Sequence, residues 1–107
     1  MRRVILESPY AGDVSRNVAY AYRCLRDCIS RGEAPIASHL LYRHVLDDND
    51  EFERVLGIRA GLAWLKVANA MVVYTDYGIS RGMHDAVQAA KKADITIEQR
   101  MIGANGS

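Results

Sequence analysis

The sequence predicts a single-domain α/β fold in which a four-stranded, mainly parallel sheet carries helices on both faces. Three observations point there. Short apolar runs alternate with helix-periodic segments along the chain, and glycine, proline or aspartate punctuates the changes. The 107 residues, half of them apolar, suffice for one core and not for two. Residues 1–102 are assigned to the domain, and Gly103-Ala104-Asn105-Gly106-Ser107 to a tail expected to fray.

Arg3 to Glu7, with Val4, Ile5 and Leu6 in succession, reads as a strand buried on both faces. Ser8-Pro9-Tyr10-Ala11-Gly12 stops it, because proline cannot donate to a ladder and glycine admits unusual backbone angles. From Asp13 a helix is expected to about Ser30, turning Val14, Val18, Ala21, Leu25, Cys28 and Ile29 inward and ending at Arg31-Gly32. Pro35 to Leu41 reads as a second strand, and Tyr42 to Asp50 as a polar connection whose Asp47, Asp48 and Asn49 suit a helix start. The helix that follows is expected to bury Phe52, Val55, Leu56, Leu62, Ala63, Trp64 and Val67 and to stop near Asn69. Gly57 and Gly61, four apart, share one of its faces and permit close approach of a neighbouring helix or a ligand.

Ala70 to Thr75 is the clearest strand. The turn from Asp76 to Ser80 feeds a helix from Arg81 to Lys91 with Met83, Val87 and Ala90 inward, and the alternation of Asp94 to Glu98 marks a half-exposed edge strand. Right-handed crossovers are expected, and strand order 2-1-3-4 is the natural choice for a chain this short, giving an open three-layer sandwich of the flavodoxin or Rossmann kind. In such sheets ligands sit at the carboxyl ends of the strands, beside the reversal of chain direction between strands one and three. The loops at that place are Ser8 to Gly12 and Asp76 to Gly82. The second carries Gly78, Ser80, Arg81 and Gly82 into a helix, where backbone amides favour an anion and Arg81 adds positive charge. The competing reading is a connection that needs glycine for its angles and serine for its cap.

Fourteen basic against thirteen acidic side chains leave the chain nearly neutral, without the footprint of a protein that holds a nucleic acid polymer. A small anion needs only one or two well-placed groups. Cys24 and Cys28 lie one helical turn apart and read as reduced, buried thiols of a cytoplasmic protein. His39, His44 and His84 with Asp47 or Asp48 match no metal-ligand spacing, so neither metal nor other cofactor is expected. Met1-Arg2-Arg3 opens neither a secretory signal nor a membrane span, since Glu7 and Pro9 interrupt the apolar run.

The order of elements and the two loops resemble the nucleoside 2-deoxyribosyltransferase superfamily, which includes the 2'-deoxynucleoside 5'-phosphate N-hydrolases. They resemble still more closely its short relatives in phage and bacterial genomes, which share an opening like Glu7-Ser8-Pro9-Tyr10-Ala11-Gly12 and a turn like Gly78-Ile79-Ser80-Arg81-Gly82-Met83. The likeness spans most of residues 3–98. It implies that Ser8, Pro9, Tyr10 and Gly12 lie against a sugar or phosphate, and that the helix after strand three opens with glycine, a bulky residue and a catalytic glutamate. Gly82 and Met83 match, and His84 stands where that glutamate would attack the anomeric carbon. Asp85 is the nearest carboxylate, turned by about a hundred degrees on the helix. Asp76 occupies a loop where transferases often carry an acid, and Gly61 stands where they hold another. Such relatives commonly assemble, which implies a homo-oligomer.

Tyr10 either stacks on a base or covers the sheet end. Arg81 either clamps a phosphate or pairs in solvent with Asp85. Ser80 is read first as a helix cap. Phe52 and Trp64 are read as core; Arg16, Asn17, Tyr20 and Arg23 are read by default as a solvated helix face, the alternatives being that they face the site or a second subunit. The expectation is a protein that binds a small-molecule nucleotide or deoxynucleoside phosphate at Ser8, Pro9, Tyr10, Gly12, Ser80, Arg81 and Gly82. Asp76, His84 and Asp85 are the candidates for cleaving or exchanging an N-glycosidic bond; the alternative is a catalytically silent sensing or sequestering module.

Overall fold

The computed structural model describes residues 1–104, apart from the Arg43 side chain; the rest of the expected tail, 105–107, lies outside the described residues. The elements run β1 (Arg2–Glu7), α1 (Val14–Ser30), β2 (Glu33–Ile36), α2 (Ser38–Leu41), a 3-10 turn (Tyr42–His44), α3 (Glu51–Leu65), β3 (Ala70–Tyr74), α4 (Arg81–Lys92) and β4 (Thr96–Arg100). The sheet order is β2-β1-β3-β4 with every pair parallel, as the sequence predicts.

Alternation along the two central strands divides the core. Val4 and Leu6 of β1, with Ala70, Val72 and Tyr74 of β3, pack against Tyr20, Cys24 and Cys28 of α1. Ile5, Met71 and Val73 point the other way, against Leu65 of α3 and Met83 and Ala90 of α4. Every residue of β3 is buried, and each of its valines stabilises the fold by about 1.5–3 kcal/mol relative to exposure.

Four expectations are corrected. The buried stripe of α1 is Asn17, Tyr20, Ala21, Cys24 and Cys28, while Val14 and Ile29 are exposed. The helix is rolled because the Asn17 amide nitrogen donates to the carbonyls of Tyr10 (2.9 Å) and Ala11 (3.0 Å), tying the β1–α1 loop to it. The second strand ends at Ile36, and the chain winds into α2, where His39 meets the Ser8 hydroxyl at 2.9 Å.

The third correction concerns α3, which buries only Leu65. Phe52 and Trp64 are 72% and 47% exposed. Its apolar residues run round the cylinder instead of forming one stripe, so any inward face leaves others outside. The fourth is the start of the expected tail, where the Gly103 and Ala104 amides are hydrogen-bonded to Asp76.

At the sheet corner, the Arg100 side chain, 7% exposed, donates to both Glu33 oxygens at 2.7 Å and to Glu98 at 3.0 Å. Arg2 pairs with the same two glutamates. Hydrogen bonding to Arg100 and Arg2 holds both carboxyls below their usual range. Among the described residues no helix is long and apolar enough to cross a membrane.

Candidate functional site

Because β1 alternates, Glu7 projects to the same face as Ile5, the face covered by α3 and α4. There the sheet floor and the two helices enclose a cavity of about 450 Å³ at the carboxyl ends of β1 and β3, within the size range of small-molecule sites. Ile5, Met71 and Leu65 make its floor apolar. One wall is the start of α4, the other is α3, and the segment from Ser38 to Asp48 closes a third side. Gly57 and Gly61 of α3 let that segment approach. A Cβ at Gly57 would stand 3.3 Å from a Leu46 methyl, and one at Gly61 would stand 3.4 Å from the Ser38 hydroxyl.

Glu7 lines this cavity, is only 9% exposed, and its carboxyl has no hydrogen-bond or ion-pair partner among the described residues. Burial pushes its carboxyl up to about 8, so at neutral pH it keeps its proton and is a hydrogen-bond donor. Beside it, Ser8 and His39 share their hydrogen bond. At the other wall, Ser80 caps α4 by accepting from the Met83 amide at 3.3 Å, and no acidic residue occupies the helix's first turn. The first-turn amides, the helix dipole and the exposed Arg81 give the start of this wall positive character.

Of the site residues named from the sequence, Ser8, Tyr10, Ser80, Arg81, Gly82 and Asp85 line this one cavity. The two loops therefore meet. Asp85 sits on the rim with its side chain 73% exposed. Pro9, Gly12, His84 and Asp76 do not line it. Gly12 supplies a φ of +96° to the loop, a region that favours glycine. His84 is 66% exposed and stands 3.8 Å from Asp85.

Asp76 is occupied elsewhere. Only 2% exposed, it accepts from the Tyr20 hydroxyl at 2.6 Å and from the amides of Ile102 (2.9 Å), Gly103 (2.7 Å) and Ala104 (2.9 Å). Its own amide donates to the Tyr20 oxygen at 3.0 Å. Burial would raise its pKa, but the hydroxyl and the three amides outweigh it and hold the carboxyl below its usual range. It anchors the chain after β4. Tyr20 in turn stacks edge-on against Tyr77 at 4.8 Å, and Arg16 lies 4.1 Å from the centre of that ring.

The sequence reading omitted Glu7, His39 and Arg54 as cavity residues. Glu7 alone had a legible signal, being a charged residue at the end of an apolar strand and in phase with Ile5. Among the described residues, no three His, Cys, Asp or Glu side chains are grouped to hold a metal ion.

The fold that carries this site is shared with a solved enzyme structure. The chain is similar to the 2-deoxyribosyltransferase of the psychrotolerant bacterium Bacillus psychrosaccharolyticus, described as a suitable biocatalyst for the industrial synthesis of antiviral and antitumoral nucleosides. The match has a TM-score of 0.68 at 16% identity and covers 92% of this chain and 72% of that one. At that identity the shared property is the fold. By sequence, the chain belongs to the family described as Domain of unknown function (DUF7768), whose model matches residues 2–100. No curated protein matches it.

Proposed function

We propose that the cavity binds a nucleotide or deoxynucleoside monophosphate. The phosphate lies at Arg81 and the first turn of α4, the sugar beside Glu7 and Ser8, and the base over the apolar floor. The observation that carries this reading is the joining, in one cavity, of an electropositive helix start with a buried, protonated carboxyl. The first answers a phosphate and the second a sugar hydroxyl or a base acceptor. The fold shared with a 2-deoxyribosyltransferase supports it.

A thermal-shift panel of nucleosides and their monophosphates tests it. A ligand at a hundred times its dissociation constant adds about 2.7 kcal/mol of stability. Arg81→Ala is expected to abolish the advantage of the monophosphate over the nucleoside, and an unchanged advantage removes the phosphate from that wall.

A module that binds without chemistry is the second reading. It is favoured by the placement of Asp76 in a structural network and of His84 and Asp85 in solvent. Assembly into a homo-oligomer in the cytoplasm completes the proposal, since α3 exposes Phe52 and Trp64 and the two cysteines are free and buried. Sedimentation of the wild type beside Phe52→Ser/Trp64→Ser reads it out.

A further inference from the structure

We propose that Glu7 is the general acid that releases the base from a deoxynucleoside monophosphate held in this cavity, an inference that rests on the binding reading above. Among the described residues four carboxyl groups line the cavity, and three of them face water: Asp48 and Asp85 are exposed and Glu53 is half-buried. Only Glu7 is nine-tenths buried, at the sheet floor where α3 and α4 converge. It also lacks any donor among the described residues that would hold it as an anion.

The other ionisable groups facing the cavity are known by element. The β1 loop gives Tyr10, the α2 region His39 and Tyr42, α3 Arg54 beside Glu53, and α4 Arg81 beside Asp85. None of them is bonded to Glu7, and burial alone sets its proton affinity. A solvated carboxylate at neutral pH has no proton to give. Glu7 has one, and its carboxyl, pushed up to about 8 by burial, titrates close to neutrality, where a general acid is most effective.

The step balances with water as the only co-reactant. The Glu7 proton passes to an acceptor atom of the base as the bond between C1' and the base nitrogen breaks, its electron pair leaving with the base. The carboxylate so formed faces the positive charge developing at C1'. Water then adds to C1' and returns a proton to Glu7. Nucleotide and water become free base and sugar phosphate, and the enzyme ends as it began.

The test uses the full chain and the deoxynucleoside monophosphates that shift its melting, with released base measured by chromatography. Release is expected to fall as pH rises through about 8. Glu7→Gln, whose amide can still donate a hydrogen bond but cannot give up a proton, is expected to lose release by about 100-fold or more at saturating nucleotide, whatever its change in affinity. With a 7-methylguanine nucleotide, whose base departs neutral without a proton, the same variant should recover most of the rate. A merely structural Glu7 would not give that recovery.

If Glu7→Gln fails to fold, Glu7→Asp takes its place, and its falling pH limb must move from that of the wild type. A thermal shift with no base released by the wild type overturns the general acid and leaves the binding reading standing. Release by Glu7→Gln at the wild-type rate, or an unmoved limb in Glu7→Asp, overturns it as well. No thermal shift and no release overturn both.

Discussion

Glu7 and Asp76 stand at the carboxyl ends of the neighbouring strands β1 and β3, both nearly out of water, and their carboxyl groups are in opposite states. Asp76 receives a tyrosine hydroxyl and three backbone amides and is held as an anion. Glu7 receives none among the described residues and is held neutral. Burial is common to both, so the supply of donors decides the charge. The same difference divides the rim into a closed half that fixes the end of the chain and an open half with room for a ligand.

Removing the donors' acceptor gives the largest effect. Asp76→Ala strands the Tyr20 hydroxyl and the amides of residues 102–104, and the expected loss is about 3–5 kcal/mol by chemical denaturation. Proteolysis after β4 should accelerate at the same time. A loss below about 1 kcal/mol, within the range of an exposed polar contact, would mean that the closed half is not closed.

The next effect has the opposite sign and depends on pH. The Glu7 carboxyl is raised from 4.5 to about 8 on folding, so the folded state holds a proton that the unfolded state releases. Stability from this group is complete below pH 4.5 and is lost as pH rises toward 8, by about 1.4 kcal/mol per pH unit. Glu7→Gln does not titrate. Its stability relative to wild type should therefore climb by about 3 kcal/mol between pH 4.5 and pH 7, as measured by urea unfolding at both. A constant difference would show that the carboxyl ionises freely and that the two halves of the rim are alike.

The sequence made the sheet and its order legible because buried parallel strands read as apolar runs and because Ser80 and the residues after Glu7 carry local turn and cap chemistry. Long-range partners were not legible. Tyr20 reads as a solvated helix residue until its hydroxyl meets Asp76, 56 positions away, and Asn17 reads likewise until it ties the β1 loop. Asp76 next to a glycine-bearing turn looks the same whether it faces a ligand or backbone amides, and two of its donors, the Gly103 and Ala104 amides, lie in the segment expected to fray. Glu7 was hidden by treating β1 as buried on both faces, which suppresses the question of which face its last residue joins. The inward face of α3 was undecidable because apolar residues encircle it.

The smallest effect sharpens the open half. Ser80 both lines the cavity and caps α4, accepting from the Met83 amide. Ser80→Ala removes the cap and should cost about 1 kcal/mol. Ser80→Asp restores a capping oxygen and adds a charge that the helix dipole favours, so stability should return to the wild-type level or slightly above. The same charge then stands beside the position proposed for the phosphate. Monophosphate binding should weaken in Ser80→Asp while nucleoside binding is kept, a separation that thermal shift reads directly. Equal weakening of both ligands would place the phosphate away from α4, leaving Ser80 as a cap alone and the electropositive wall without its anion.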